Sequence, residues 1–186
     1  MKYILTLMTA FILAFGQAQS LKLMTYNIRL DVESDGENNW SHRKAFFTSQ
    51  MQFYEPDIFG IQEAKPNQVM DIATSLPQYN YIGTGREGIN KGESSNIFYK
   101  KSRFKILKSN TFWLSETPEL VSKGWDAAFN RVCTYALFEK YTSDSQEYLN
   151  DDLPDGTMFF GSEFNDDILC IDNQSGKIYT YESKKL

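Results

Sequence analysis

The chain is poor in the residues that most often bind metals, with one histidine, His42, and two cysteines, Cys133 and Cys170, among 186 residues. No cysteines have the close spacing of a structural zinc site, which excludes the zinc-finger and zinc-ribbon classes. A disulfide between Cys133 and Cys170 is compatible with an extracellular protein, but two separate buried thiols are the simpler expectation. Internal repeats and low-complexity tracts are also absent from the sequence, so neither a solenoid nor a disordered chain is expected.

A long hydrophobic run occurs once, at the start of the chain. Residues 3–15 are nearly all apolar, follow a short basic start and precede several small residues. This pattern predicts a secretory signal peptide over residues 1–19, cleaved near Ala18 and Gln19, although a buried N-terminal helix would show similar hydropathy. No later run is long enough to cross a bilayer. We therefore expect a secreted or periplasmic protein whose mature chain has no membrane span.

Charge divides the remaining chain into two segments. Residues 1–140 carry 16 basic and 14 acidic side chains, whereas residues 141–186 carry 3 and 10. Neither segment is basic enough to bind nucleic acid by charge alone. The change in charge balance near residue 140 predicts a main domain over residues 20–140 and an acidic tail over residues 141–186.

Hydrophobic spacing predicts alternating strands and helices at first, and mostly strands afterwards. The predicted strands are residues 21–29, 57–62, 79–82, 95–99, 104–113, 132–138, 157–160, 168–171 and 177–181. A first helix begins at the N-cap Ser41, with Phe46, Phe47, Met51 and Phe53 at helical spacing. A second helix covers residues 66–76, and residues 31–39 form a loop. This order predicts a layered α/β sandwich with a short β-rich C-terminal appendage.

Glu63 is the most informative residue for function, because it ends the apolar run at residues 58–61. A carboxylate there is costly unless it is paired or bound to a cation. Mg²⁺ keeps several of its waters, so one or two carboxylates can hold it. Asn27, near the end of the first predicted strand, has an amide that could orient a phosphate or a metal-bound water. A solvated glutamate or a helix cap is the alternative interpretation of Glu63.

Several motifs in order resemble the endonuclease/exonuclease/phosphatase superfamily, which has the fold of deoxyribonuclease I and exonuclease III. The match is colinear from about residue 21 to residue 140. Its motifs are MTYNIRL at residues 24–30, DIFGIQEA at 57–64, GESSNIFYKKSRF at 92–104, TFWLSETPE at 111–119 and GWDAAFNRVCTYALFE at 124–139.

This resemblance implies a four-layer α/β sandwich, present here in part, and phosphoester hydrolysis that depends on Mg²⁺ or Mn²⁺. It implies that Glu63 binds the metal and that Asn27 helps to position both metal and phosphate. Glu93 matches an acidic position that supports a catalytic histidine in relatives, and Arg131 matches an arginine near the phosphate. The substrate would be a phosphorylated small molecule or a nucleic acid.

Plainer interpretations exist for each of these side chains. Glu93 could be an ordinary loop charge, and Arg131 could simply pair with Asp126 or Glu139. Trp125 could stack on a base or a sugar, but such rings more often fill cores or anchor loops.

The second half of the family pattern has no match in this sequence. His-x-Asp, Gly-Asp-x-Asn and Ser-Asp-His motifs are missing, and residues 162–167 have acids without that spacing. These motifs supply the histidines and aspartates that hold phosphate and activate water in the family. We therefore expect a truncated family domain over residues 20–140 that is incomplete or inactive as a hydrolase.

The tail has a resemblance of its own. LPDGTMFFGSEFNDDILCIDNQSGKIYTYES at residues 153–183 is similar to the C-terminal part of SUKH-type domains, which include toxin-immunity proteins. That resemblance implies a protein-binding module, and with it a protein partner for the acidic tail. The alternative to a secreted phosphoesterase is therefore a chimeric or degenerate protein whose tail binds another protein.

Overall fold

A computed structural model describes residues 21–141 and the backbone of three later strands. The predicted signal peptide lies outside the described residues, and so does the connection between the predicted strands at residues 168–171 and 177–181. The strands are β1 (Leu23–Asn27), β2 (Ile58–Ala64), β3 (Tyr79–Ile82), β4 (Ser94–Lys100), β5 (Phe104–Trp113), β6 (Val132–Lys140), β7 (Met158–Gly161), β8 (Ile168–Ile171) and β9 (Ile178–Tyr181). The helices are a 3₁₀ segment (Glu33–Asn38), α1 (Trp40–Tyr54) and α2 (Pro66–Ser75).

The first sheet has the strand order β1-β2-β4-β3. Strand β1 runs parallel to β2, with Asn27 opposite Gln62, whereas β4 is antiparallel to both β2 and β3. The parallel pair requires a crossover, and α1 supplies it. Because β1 and β2 run side by side, their carboxyl ends lie at the same edge of the sheet.

The two faces of this sheet bury different cores, as the alternation of side chains along a strand requires. Phe59 and Phe98 stack at 4.9 Å between ring centroids on the face that α1 and α2 cover. Ile58 and Ile97 point the other way, into a core shared with Phe138 of the second sheet. Helices, first sheet and second sheet thus form successive layers, which confirms the predicted layered α/β sandwich.

The second sheet has the order β5-β6-β7 and is antiparallel. Its third strand, β7, comes from the tail, and the backbone of Gly161 lies opposite Cys133 of β6. Strands β8 and β9 pair separately as an antiparallel hairpin. Cys133 is a free, buried thiol, and burial raises its pKa to about 12. The side chain of Cys170 lies outside the described part of the chain.

Helix α1 differs from its prediction in which residues it buries. Trp40, Phe47 and Met51 face the core, whereas Phe46 and Phe53 are exposed to 62% and 78%. The spacing of Trp40, Phe47 and Met51 matches a single helical stripe, and Phe46 and Phe53 fall outside it. The apolar character of those two residues was therefore misleading.

The start of α1 also differs. Asn39, not Ser41, is the N-cap, and Ser41 donates a 2.6 Å hydrogen bond from Oγ to Asn39 Oδ1. The predicted loop before it contains the 3₁₀ segment. The remaining predicted strands and α2 are confirmed, with shifts of one or two residues at their ends. Among the described residues, no helix is both long and apolar enough to cross a membrane.

A buried carboxylate, Asp57, begins β2. It accepts hydrogen bonds from the backbone N–H of Lys22 at 3.0 Å, from Lys100 at 3.4 Å and from Arg103. Burial by itself would raise the pKa of Asp57, but the Lys22 N–H and the Arg103 guanidinium outweigh it and hold that pKa below its ordinary value. Asp57 therefore ties the start of β2 to the segments that precede β1 and β5.

Candidate functional site

The carboxyl ends of β1 and β2 bring Asn27 and Glu63 into direct contact. Asn27 donates from Nδ2 to Glu63 Oε1 at 2.8 Å, and the backbone N–H of Leu30 donates to Glu63 Oε2 at 3.3 Å. The Asn27 amide is itself oriented, because its Oδ1 accepts the Arg29 N–H at 2.9 Å. The structure thus places these two predicted residues side by side, at the edge of the first sheet.

Glu63 lies in a bulge that reorients its side chain. The pairing of β2 with β4 shifts register between Ile61 and Ala64, and Glu63 has a φ of 61°. The left-handed region is unfavourable for a residue with a Cβ, and such strain is concentrated at functional sites. The predicted strand stopped at Gln62, but β2 continues to Ala64 because the bulge absorbs Glu63 without ending the pairing.

Glu63 opens onto a small cleft between the ends of the two sheets. Its lining residues are Glu63, Arg86, Glu93, Ser94, Ser95, Asn130, Arg131 and Val132. Ser94 begins β4 and Val132 begins β6, so each sheet contributes one wall. Asn27 is bonded to Glu63, and all four predicted site residues are therefore brought together at this cleft.

Glu93 is paired with an arginine. Arg86 approaches Glu93 Oε1 at 2.8 Å, and both side chains are largely buried. The guanidinium of Arg86 also lies over the Phe129 ring, 4.9 Å from its centroid. Glu93 is therefore not an ordinary solvated loop charge, and its counter-ion within residues 21–141 is Arg86.

Arg86 and Asn130 were missed in the sequence. The backbone carbonyl of Arg86 accepts hydrogen bonds from Trp113 Nε1 at 2.7 Å and from Asn130 Nδ2 at 3.3 Å. Asn130 also donates to Glu87 Oε2 at 2.9 Å. The available signal was an arginine inside the glycine-rich segment at residues 83–92, where a close backbone approach is expected.

Arg131 follows Asn130 into the cleft. Its backbone carbonyl accepts the Leu114 N–H at 2.8 Å, which fixes the segment just before β6. Glu139, one of the two partners suggested for Arg131, pairs instead with Lys105 at 3.4 Å. Trp125 is 73% exposed and so is not a core residue, while Trp113 is buried.

The oxygen donors at this edge fit a hydrated hard cation. Glu63 offers a carboxylate and Asn27 an amide, and Mg²⁺ or Mn²⁺ bound by so few protein groups keeps most of its waters. Within the described residues, no cluster of three or more histidine, cysteine, aspartate or glutamate side chains could hold a metal ion. His42 is exposed in the first turn of α1. The fitting site is therefore a weakly coordinated one at Glu63.

Comparison with known proteins gives matches among solved structures. No family model matches the sequence, and no curated protein is detectably similar. An endonuclease/exonuclease/phosphatase protein from Bacteroides vulgatus is 42% identical, with a TM-score of 0.64, over 64% of this chain and 47% of that chain. A protein of the same family from Bacteroides thetaiotaomicron is 37% identical, with a TM-score of 0.68, over 77% of this chain and 49% of that chain.

A third similar structure is that of a phosphatase. It is a mannosyl-6-phosphatase from Bacteroides thetaiotaomicron, 37% identical, with a TM-score of 0.65, over 76% of this chain and 50% of that chain. The present chain spans about half the length of each of these three proteins. The fold predicted from the motifs, that of the endonuclease/exonuclease/phosphatase proteins, is confirmed by these similarities.

Proposed function

We propose that the chain is a secreted member of the endonuclease/exonuclease/phosphatase family, with a phosphoester-binding cleft of the phosphoesterase kind. The observation that carries this proposal is the Asn27–Glu63 contact at the mouth of a cleft that Glu93 and Arg131 also line. Structures 37–42% identical to this chain belong to that family, and one of them is a sugar phosphatase.

Each side chain has a separate task in this proposal. Glu63 holds Mg²⁺ or Mn²⁺, and Asn27 fixes the direction of the Glu63 carboxylate. When bound, the cation polarises a phosphoryl oxygen and lowers the pKa of a coordinated water. Arg131 contributes a guanidinium that suits a phosphate, and the Arg86–Glu93 pair holds the loop before β4 in place beside the cleft.

We expect this chain to bind a phosphoester but to hydrolyse it slowly or not at all. The sequence has no His-x-Asp, Gly-Asp-x-Asn or Ser-Asp-His motif, and its one histidine lies in α1. A water beside the cation would therefore lack the aspartate base and the histidine donors found in the family. We accordingly propose that the chain binds a cation and a phosphoester and turns the phosphoester over weakly or not at all.

Binding and turnover are tested separately with the full chain. Calorimetric titration with Mn²⁺ should give a site that Glu63→Gln weakens by about 100-fold and that Asp126→Asn, an exposed control, retains. Release of nitrophenol from a phosphodiester and a phosphomonoester should stay near the Glu63→Gln background. Turnover far above that background would overturn the proposed inactivity, and absence of Mn²⁺ binding by the folded wild type would overturn the proposed site.

A second candidate function concerns the tail, whose 10 acidic and 3 basic residues would suit a basic protein partner. In this proposal the SUKH-like segment binds such a partner independently of the cleft. Immobilised full chain should retain a basic test protein such as lysozyme, and Asp166→Asn with Asp167→Asn should weaken retention at low salt. Equal retention by the variant would contradict a specific role for these acids.

A further inference from the structure

The segment after β1, residues 28–31, lies beside the candidate cation site and contributes the Leu30 N–H to Glu63. Side chains from other elements hold its backbone. The guanidinium of Arg43 donates to the carbonyls of Ile28 and of Arg29, the latter at 3.2 Å. The ammonium of Lys65 donates to the carbonyl of Asp31. Arg29 adopts a left-handed φ of 57°, so this path of the chain depends on its contacts.

Gln68, in the first turn of α2, is the fully buried member of this set, at 0% exposure. Its Oε1 accepts the N–H of Asp31 and the N–H of Lys65, each at 3.0 Å. Its Nε2 donates to the carbonyl of Arg29 at 2.9 Å. One side-chain amide therefore joins the start of α2 to the backbone on both sides of Leu30, at the Arg29 carbonyl and at the Asp31 N–H.

The contact with Lys65 alone would be an ordinary helix cap. A glutamate at this position caps a helix as well as a glutamine does, because capping needs only an acceptor. The Nε2 donation to the Arg29 carbonyl is different, since a carboxylate cannot make it. The Gln68 amide thus accepts hydrogen bonds from two N–H groups and donates one to a carbonyl, and a carboxylate at this position could not make the third bond.

We propose that Gln68 is a positioning residue for the cation site, because it fixes the backbone at residues 29–31 so that the Leu30 N–H orients the Glu63 carboxylate. This inference rests on the proposed function for the role of Glu63. The physical reason is general, since partners behind a metal ligand set its direction and commonly change metal affinity by about 10- to 100-fold. Gln68 itself would touch neither cation nor substrate.

The first test needs no metal. In Gln68→Glu, amide hydrogen exchange at Leu30 and Asp31 should be at least about tenfold faster than in the wild type, while exchange at Tyr26 in β1 stays unchanged. Gln68→Met, which removes all three bonds, should have a larger effect. Ile72→Val is the matched control, because Ile72 is a buried core residue of the same helix whose side chain can make no hydrogen bond to residues 29–31.

The second test measures Mn²⁺ affinity by electron paramagnetic resonance. We expect binding about tenfold weaker in Gln68→Glu and within twofold of the wild type in Ile72→Val. If Leu30 and Asp31 exchange no faster in Gln68→Glu than in Ile72→Val, or if Mn²⁺ affinity is unchanged, the inference is overturned. If the wild type binds no Mn²⁺, the proposed cation site fails, and the exchange experiment still decides whether Gln68 holds the segment.

Discussion

The two ends of β2 each carry a carboxylate, and the structure treats the two in opposite ways. Asp57, at the amino end, is 1% exposed and is paired with Lys100 and Arg103. Glu63, at the carboxyl end, accepts hydrogen bonds from two neutral groups, the Asn27 amide and the Leu30 N–H, and makes no ion pair within residues 21–141. Within residues 21–141, the same strand thus has one ion-paired carboxylate and one without an ion pair, whose charge acts on Arg29 only at longer range.

This difference separates a structural carboxylate from a candidate ligand. A buried carboxylate that already has cationic partners is poorly available to bind a ligand, and its removal leaves those partners without a counter-ion. A carboxylate oriented by neutral donors keeps its negative charge available for a cation from solution. The bulge supports the same assignment, because Glu63 itself has a left-handed, strained backbone and Asp57 does not.

The largest expected effect comes from neutralising Asp57, the ion-paired carboxylate. Asp57→Asn should lower the free energy of unfolding by about 3 kcal/mol, because Lys100 and Arg103 lose their counter-ion. We take the lower end of the range for buried pairs, since these two side chains are 21% and 33% exposed. Urea unfolding measures the change, with Asp126→Asn as the exposed control. A loss below 1 kcal/mol would mean that the two ends of β2 do not differ.

The next largest effect comes from neutralising Glu63, the carboxylate without an ion pair within residues 21–141. Glu63→Gln should lower the free energy of unfolding by only about 1 kcal/mol, because the new amide can accept the hydrogen bond of Asn27 or that of the Leu30 N–H but not both. It should weaken Mn²⁺ binding by about 100-fold, or about 2.7 kcal/mol. Parallel urea and calorimetric titrations test both statements. A strongly destabilised Glu63→Gln would show that Glu63 is structural, like Asp57.

The layers of this fold were predictable because each strand is bounded by its own turn residues and each face has its own apolar set. Ile58 and Phe59 alternate between two cores, as the period of a strand requires. The burial pattern of α1 was not predictable to the same degree. Phe46 and Phe47 are equally apolar neighbours, and only the position of the sheet decides which of them is buried.

The candidate site was predictable only in the residues that end strands or carry family motifs. Asn27 and Glu63 could be brought together because parallel strands end at one edge. Gln68 could not be found, since its contact with Arg29 joins segments distant in sequence. The glycine-rich segment was a signal for Arg86, but the pairing of Arg86 with the nearby Glu93 depends on loop conformation. The bulge at Glu63 was equally invisible, because it arises from the pairing of β2 with β4.

A smaller effect follows from the lowered pKa of Asp57. A carboxyl whose pKa is lower in the folded protein contributes stability above its unfolded pKa of about 3.9, and this stability is lost as the pH falls through the folded value. The stability difference between the wild type and Asp57→Asn should therefore be largest near neutral pH and should shrink below about pH 4. Urea midpoints at several pH values give this difference. A difference that stays constant into acid would contradict the ion pairing of Asp57.

The smallest effect tests the strain at Glu63 by placing asparagine at both ends of β2. Asparagine tolerates the left-handed region better than glutamine does, and both variants lose carboxylate hydrogen bonds, so Glu63→Asn should be about 0.5 kcal/mol more stable than Glu63→Gln. Glutamine has the same backbone preference as glutamate and also lacks the charge. Comparing Glu63→Asn with Glu63→Gln therefore separates the cost of the left-handed φ from the effect of losing the charge. Asp57→Asn, by contrast, should be strongly destabilising. A larger loss of stability for asparagine at position 57 than at position 63 would separate the strand end that serves stability from the end that serves binding, and equal losses would remove that distinction.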